Sequence, residues 1–371
     1  MRVAYVISTL DRCGPVNVLF DIVSNLGDSF EASVFTLAKE PATSRAEDFE
    51  RIGCKVVRAC GTRVESMVAG SHLLARRLRA FAPDVVHAHG FRAYLACEGL
   101  SLPTVATVHN CIYEDFATSY GERRAQWMTR KELTALRGFD AVVACSESNA
   151  AYLRREYGLS CSSVRNGVDQ RRFLPLAASR RDDLRKRLGI EPEALAVVAT
   201  GGCSDWKGTL PLVSGFASTR ARAPFRSSMP KPELHVLGEG PLYAECRALG
   251  LEGVAFHGFE SDVVPWLQAA DLFVSASRSE GMPLAVLEAL SCGCPALLSD
   301  IAPHREVAGA VEGQGCVKLF DGTDGSSCAE GLAGTLASMP KKPGNVSFFG
   351  AEEMAEKYRV IYKQLNAKAA S

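Results

Sequence analysis

Short apolar β-type runs alternate with helical patterns from one end of this chain to the other, and the alternation breaks once and starts again. In the first half the runs lie at 3–7, 32–37, 56–58, 85–87, 104–108 and 141–145, with amphipathic stretches such as 16–26, 72–81 and 149–157 between them. Such alternation is the signature of a doubly wound parallel sheet. The pattern breaks around Phe173-Leu174-Pro175, and a charged helical stretch follows at 180–188. Runs at 195–200, 235–237, 254–256, 272–275, 296–299 and 317–319 then predict a second parallel sheet. At 371 residues the chain exceeds one ordinary core, so an α/β fold of two domains is expected. The proline-rich stretch 223–232 reads as a surface loop, and 351–368 as a helix.

Composition narrows the function. A formal net charge of zero argues against a nucleic-acid binder driven by phosphate neutralisation. The thirteen cysteines are scattered singly, several within apolar runs, without a C-x-x-C pair. That usage, with no signal-peptide pattern at the start, leads us to expect a reducing cytoplasm. No stretch approaches the eighteen or so apolar residues needed to span a bilayer, so membrane contact is expected to be peripheral at most.

The chemistry concentrates between the runs 272–275 and 296–299. There Glu280-Gly281-Met282-Pro283-Leu284-Ala285 turns through a glycine and opens a helix, and Glu288 follows inside it. Proline's fixed φ and missing N–H cost little in a first helical turn. The first helical N–H groups lack partners and carry partial positive charge, which suits a phosphate. Gly281 allows close backbone approach. Glu288 lies five residues beyond Pro283, roughly 7.5 Å along the axis. An anion site flanked by two separated carboxylates fits a diphosphate with hydroxyl-bearing rings on either side.

Glu280 and Glu288, with seven residues between them and followed by Gly293-Cys294-Pro295, resemble the signature of retaining glycosyltransferases of family four, which have the GT-B fold. The resemblance covers nearly the whole chain and is tighter in its second half. It implies two Rossmann-like domains facing a cleft, an acceptor-side domain at 1–170 and a nucleotide-sugar donor domain at 171–349. A helix at 350–371 would cross back to the first domain, and Asn166-Gly167-Val168-Asp169 resembles the family's crossing segment. The implied activity is retaining and metal-independent, moving a sugar from a nucleotide-diphosphate donor to a glycan or lipid-linked acceptor. No cofactor is implied. Family precedent gives the acceptor's proton to a phosphate oxygen of the leaving group, and cell-envelope polysaccharide or lipopolysaccharide assembly is the implied setting. By the same resemblance Glu288 accepts from the ribose hydroxyls, Glu280 lies near the transferred sugar, and residues 281–285 hold the diphosphate.

Other positions follow the resemblance less evenly. Lys207-Gly208, in a glycine-rich turn after 195–200, offers the diphosphate a point charge. The arginine that relatives place five or six residues earlier is absent, with Gly201 and Gly202 there instead. Gly238, in Gly238-Glu239-Gly240-Pro241, serves close packing or donor contact. Phe259 is a base-site candidate or a core aromatic. Gly14, in Cys13-Gly14-Pro15, keeps one of the two glycines usual in relatives. His109 resembles the histidine that contacts the donor sugar, with a structural histidine as the alternative. His87, His89 and His109 show no carboxylate or cysteine at metal-ligand spacing, and no metal site is expected. Basic stretches at 76–79 and 121–131 suit either an anionic membrane or solvated helix faces. A nucleotide-sugar binding module with impaired catalysis stays open because of the missing arginine. A dinucleotide oxidoreductase is disfavoured because no G-x-G-x-x-G follows the first strand.

Overall fold

The computed structural model describes residues 1–221, 230–322 and 324–370. The chain forms two compact units, Met1–Gly167 with Gly350–Ser371, and Val168–Phe349. Within the first, strands β1 (Arg2–Ile7), β2 (Glu31–Thr36), β3 (Lys55–Arg58), β4 (Val85–His89), β5 (Thr104–Val108), β6 (Ala141–Ala144) and β7 (Ser162–Ser163) form one sheet in the order β3-β2-β1-β4-β5-β6-β7. All its pairings are parallel. The connecting helices are α1 (Gly14–Ser24), α2 (Ala46–Arg51), α3 (Arg63–Phe81), α4 (Phe91–Cys97), α5 (Ile112–Tyr120), α6 (Glu122–Leu136) and α7 (Glu147–Tyr157). β4 and β5 are buried at every residue, as parallel strands covered on both faces must be.

The second unit repeats the plan with β8 (Leu195–Thr200), β9 (Pro232–Leu237), β10 (Val254–Gly258), β11 (Leu272–Ser275), β12 (Ala296–Ser299) and β13 (Val317–Phe320), again all parallel, in the order β10-β9-β8-β11-β12-β13. Its helices are α8 (Ala178–Leu188), α9 (Thr209–Ala221), α10 (Tyr243–Ala248), α11 (Val264–Ala269), α12 (Leu284–Ser291), α13 (Ala302–Ala310) and α14 (Gly325–Ala337). The final helix, α15 (Ala351–Ala370), belongs to the first unit. It docks through the buried Tyr358 and Tyr362. The Tyr362 hydroxyl lies 2.7 Å from His87 Nδ1 and 3.2 Å from the Tyr5 hydroxyl, and the Tyr358 hydroxyl lies 2.8 Å from Thr107 Oγ1.

One device recurs at the lower edge of both sheets. Asp84, Asp140 and Asp271 each immediately precede a strand, and each carboxylate accepts an N–H from the start of the neighbouring strand: Arg2 at 2.7 Å, Thr104 at 2.8 Å and Ala196 at 2.8 Å. Asp84 and Asp271 return a backbone N–H to the carbonyl of the same residue. A strand end that would otherwise leave donors unpaired is thereby closed.

Four expectations need correction. β4 runs on to His89 rather than stopping at His87, so both histidines are sheet residues. Of the expected loop at 223–232, Pro232 instead opens β9; a proline is tolerated at a strand's first residue, where its missing N–H breaks no inner rung. Residues 223–229 lie outside the described residues. Pro283 is the N-cap of α12, outside its first turn, with an extended ψ of 90°. Phe259 is 57% exposed, which removes the core-aromatic alternative.

Candidate active site

In each sheet the strand order reverses at one place, between β1 and β4 and again between β8 and β11. Chains leaving the carboxyl ends of such neighbours diverge to opposite faces, and the crevice between them is where open α/β sheets bind ligands. In the second unit that crevice is walled by the loop after β8, carrying Lys207, and the loop after β11, carrying Glu280. Thr200, Gly201, Gly202, Lys207, Ala276 and Ser277 line a pocket there over an apolar floor that includes Val236 and Val274.

Lys207 and Glu280, 73 residues apart in sequence, meet in this crevice: Lys207 Nζ donates to Glu280 Oε1 at 2.6 Å. Both side chains are largely shielded from solvent, which strengthens the attraction over an exposed pair. The surrounding loops are fixed by close packing. Gly238 has φ of +132°, and a Cβ there would sit 1.9 Å from the Gly201 carbonyl oxygen. At Gly208, φ is +62° and a Cβ would meet the Ala276 carbonyl oxygen at 2.1 Å. Only glycine fits either position. Gly238 therefore seats the Lys207 loop, and Gly208 brings that loop against the chain leading to Glu280.

Directly beyond Glu280, Gly281, Met282 and Pro283 are buried and deliver the chain into α12. Helix geometry leaves the N–H groups of Leu284 and Ala285 without intrahelical acceptors. At the other end Gly293 and Cys294 donate to the carbonyls of Leu290 and Ala289, a Schellman closure. Glu288 is half-buried within α12; lost solvation pushes its carboxyl up to about 7, against a smaller opposing pull from Arg172. Arg278, whose side chain the sequence alone does not place, donates to Asp205 Oδ2 at 2.9 Å and through its backbone N–H to the Trp206 carbonyl. It thus spans to the Lys207 loop.

Several supporting residues escaped the sequence reading. Ser299 Oγ donates to the Ser277 carbonyl at 2.6 Å, and buried His304 Nδ1 lies 2.8 Å from the Ser299 carbonyl oxygen. This pair holds the strand end just before Glu280 from beneath. Asp271, just before β11, also binds Arg181 and Arg185 at 2.7 and 2.9 Å. Phe259, the base-site candidate, lies one residue beyond β10 with its ring exposed.

In the first unit Gly14 is the exposed first residue of α1, just past the carboxyl end of β1. Asn17, in the first turn of α1, accepts from Arg45 Nη1 at 2.8 Å. His109 follows β5, and its Nε2 lies 2.9 Å from His89 Nδ1 at the end of β4. Burial pushes His109 down to about 4, so the ring is neutral at pH 7. Ser146 is spent as the N-cap of α7, accepting from Asn149 N at 3.0 Å. Among the described residues no group of three or more His, Cys, Asp or Glu is arranged to hold a metal ion.

A family model described as Glycosyltransferase Family 4 matches residues 13–172, and one described as Glycosyl transferases group 1 matches residues 195–337. The O-antigen biosynthesis glycosyltransferase WclY of Escherichia coli is 24% identical over 313 residues, 83% of this chain and 82% of that one. Among solved structures, sucrose-phosphate synthase from Thermosynechococcus elongatus superposes with a TM-score of 0.78 at 18% identity, covering 99% of both chains. Anabaena HepE in complex with UDP and glucose gives 0.72 at 20% identity, covering 100% of this chain and 98% of that one. These likenesses show the two-unit GT-B fold.

Proposed function

The chain belongs to glycosyltransferase family 4, and from that premise we propose that it moves a sugar from a nucleotide-diphosphate donor to an acceptor hydroxyl with retention at the anomeric carbon. The observation that carries the reading is the 2.6 Å meeting of Lys207 with Glu280 at the β8/β11 reversal, beside the start of α12. A cation and a set of free helical N–H groups converge there, and a carboxylate stands within reach of both.

The diphosphate sits on the N–H groups of Leu284 and Ala285 and competes with Glu280 for Lys207. Glu280, released from part of that bond, orients hydroxyls of the transferred sugar. Glu288 accepts from the ribose. As the bond from the anomeric carbon to the diphosphate oxygen breaks, charge grows on the leaving phosphate, where Lys207 and the helix start stabilise it. The acceptor oxygen forms the new bond to the anomeric carbon, and its proton passes to a phosphate oxygen. By the family resemblance His109 is a further residue that contacts the transferred sugar. HepE was solved with UDP and glucose, and WclY acts in O-antigen biosynthesis; both support a nucleotide-sugar donor and an envelope glycan or lipid-linked acceptor.

Screening nucleotide sugars by thermal shift tests the donor, because a ligand that binds the native state raises its stability. Nucleoside diphosphate release with and without envelope-glycan acceptors then tests transfer. We expect turnover to persist in EDTA, since Lys207 and the helix start supply the counter-charge. Activity lost on chelation and restored by magnesium or manganese overturns the metal-independent step. Donor binding without transfer to any acceptor identifies the impaired binding module instead.

A further inference from the structure

β4 and β5 are neighbours, and their carboxyl ends bring His89 against His109. His89 Nδ1 and His109 Nε2 are 2.9 Å apart, and the rings stack at 25° with centroids separated by 5.1 Å. His89 is 1% exposed, and its Nε2 is buried with no partner. Behind it, the His87 ring lies 4.2 Å away between centroids. His87 is itself pinned, with Nδ1 2.7 Å from the Tyr362 hydroxyl and Nε2 2.7 Å from Thr107 Oγ1.

Burial holds His89 and His109 neutral, so each ring carries one proton. The 2.9 Å contact then has two possible directions. If His109 donated, the proton of His89 would have to sit on its Nε2, leaving a buried N–H with nothing to receive it. An orphaned buried N–H is rarer than an under-used acceptor. With its proton on Nδ1, His89 donates to His109, and only a lone pair is left without a partner.

We propose that His89 is a positioning residue that fixes His109 as its Nδ1–H tautomer, so that His109 meets the transferred sugar as a hydrogen-bond donor through Nδ1. This rests on the reading of His109 as a residue that touches the donor sugar. It carries a mechanistic consequence. His109 Nε2 is occupied by the His89 proton donor and Nδ1 holds a proton, so His109 has no free lone pair with which to act as the acceptor's base. The ligand chemistry it selects is a sugar hydroxyl or ring oxygen that accepts.

The test is ring-nitrogen NMR of the full chain with ¹⁵N-labelled histidine, the seven histidines being sorted by loss of signals in His109→Gln. At pH 7 the expected spectrum shows His109 protonated on Nδ1 and bare on Nε2. A proton on His109 Nε2 overturns the proposal, and this readout needs no His89 variant to fold. In His89→Asn a side-chain N–H takes the place of Nδ1, so the tautomer and most of kcat/KM should survive. In His89→Phe the tautomer should become mixed, and kcat/KM should fall about tenfold, the scale of one lost hydrogen bond. Equal loss in both variants with the His109 tautomer unchanged also overturns it. If His109→Ala transfers sugar at the wild-type rate while the Nδ1–H tautomer stands, the sugar-contact reading has failed and the tautomer assignment has not.

Discussion

At the scale of single residues, Glu288 carries the sharpest consequence. Its carboxyl is raised to about 7 by lost solvation, so near neutral pH it is only partly ionised. For the fold, the native state holds a proton between the ordinary carboxyl value and 7 that the unfolded chain releases; this group's contribution to stability is present at low pH and lost as pH rises through 7. For the donor the sign is opposite, because paired ribose hydroxyls prefer the ionised acceptor. Nucleotide-sugar affinity should therefore rise by up to about tenfold between pH 6 and pH 8. Isothermal titration across that range checks it: Glu288→Gln should flatten the slope while keeping part of the affinity, and Glu288→Ala should lose more. An unchanged dissociation constant in Glu288→Ala refutes the ribose role. The spacing of Glu280 and Glu288, and Lys207 in its glycine turn, stood out in the sequence as candidates because the residue types able to hold a phosphate are few. The Lys207–Glu280 contact was not. It depends on which two loops the strand order places side by side, and no local pattern encodes that. The pairing of His89 with His109 was missed for a related reason, since the two residues meet at the carboxyl ends of adjacent strands.

At the scale of elements, alternating apolar runs gave nearly every strand, because a parallel strand buried on both faces must be apolar throughout. Errors fell at ends, where hydrogen bonding rather than hydrophobicity decides: β4 ran on through His87 and His89, and β9 began at Pro232. The aspartates preceding β4, β6 and β11 show what sets such ends, each one taking the first donors of the strand beside it. Asp271 does more than this. It also pairs with Arg185, whose side chain is 6% exposed and would otherwise be a buried cation without a counter-charge. Removing one partner of such a pair costs about 3–5 kcal/mol. Asp271→Ala should therefore lower unfolding free energy by about that amount in chemical denaturation. The exposed pair of Glu147 with Arg154 provides the contrast, and Glu147→Ala should cost under about 1 kcal/mol. Comparable losses in the two variants would show that Asp271 serves only as a strand-end acceptor.

At the scale of the whole molecule, a formal charge of zero conceals an uneven surface. Arg76, Arg77 and Arg79 on α3, with Arg123, Arg124, Arg130 and Lys131 on α6, are all exposed. None of the seven is in an ion pair among the described residues. On the same stretch of α5 and α6, Tyr120 and Trp127 are 52% and 55% exposed, an apolar expense in water that an interface removes. No described helix is long and apolar enough to cross a membrane. We infer a peripheral contact with anionic lipid that brings the first unit to a lipid-linked acceptor. Each cation near such a surface contributes about 1 kcal/mol, and salt screens it. Co-sedimentation should show binding to anionic vesicles at low ionic strength, weak binding to neutral ones, and release at high salt. Trp127→Ala should weaken binding without changing its salt dependence, whereas Arg123→Glu with Arg124→Glu should reduce that dependence. Equal pelleting with both vesicle types, or none with either, would return these residues to ordinary solvated helix faces and favour an acceptor in solution.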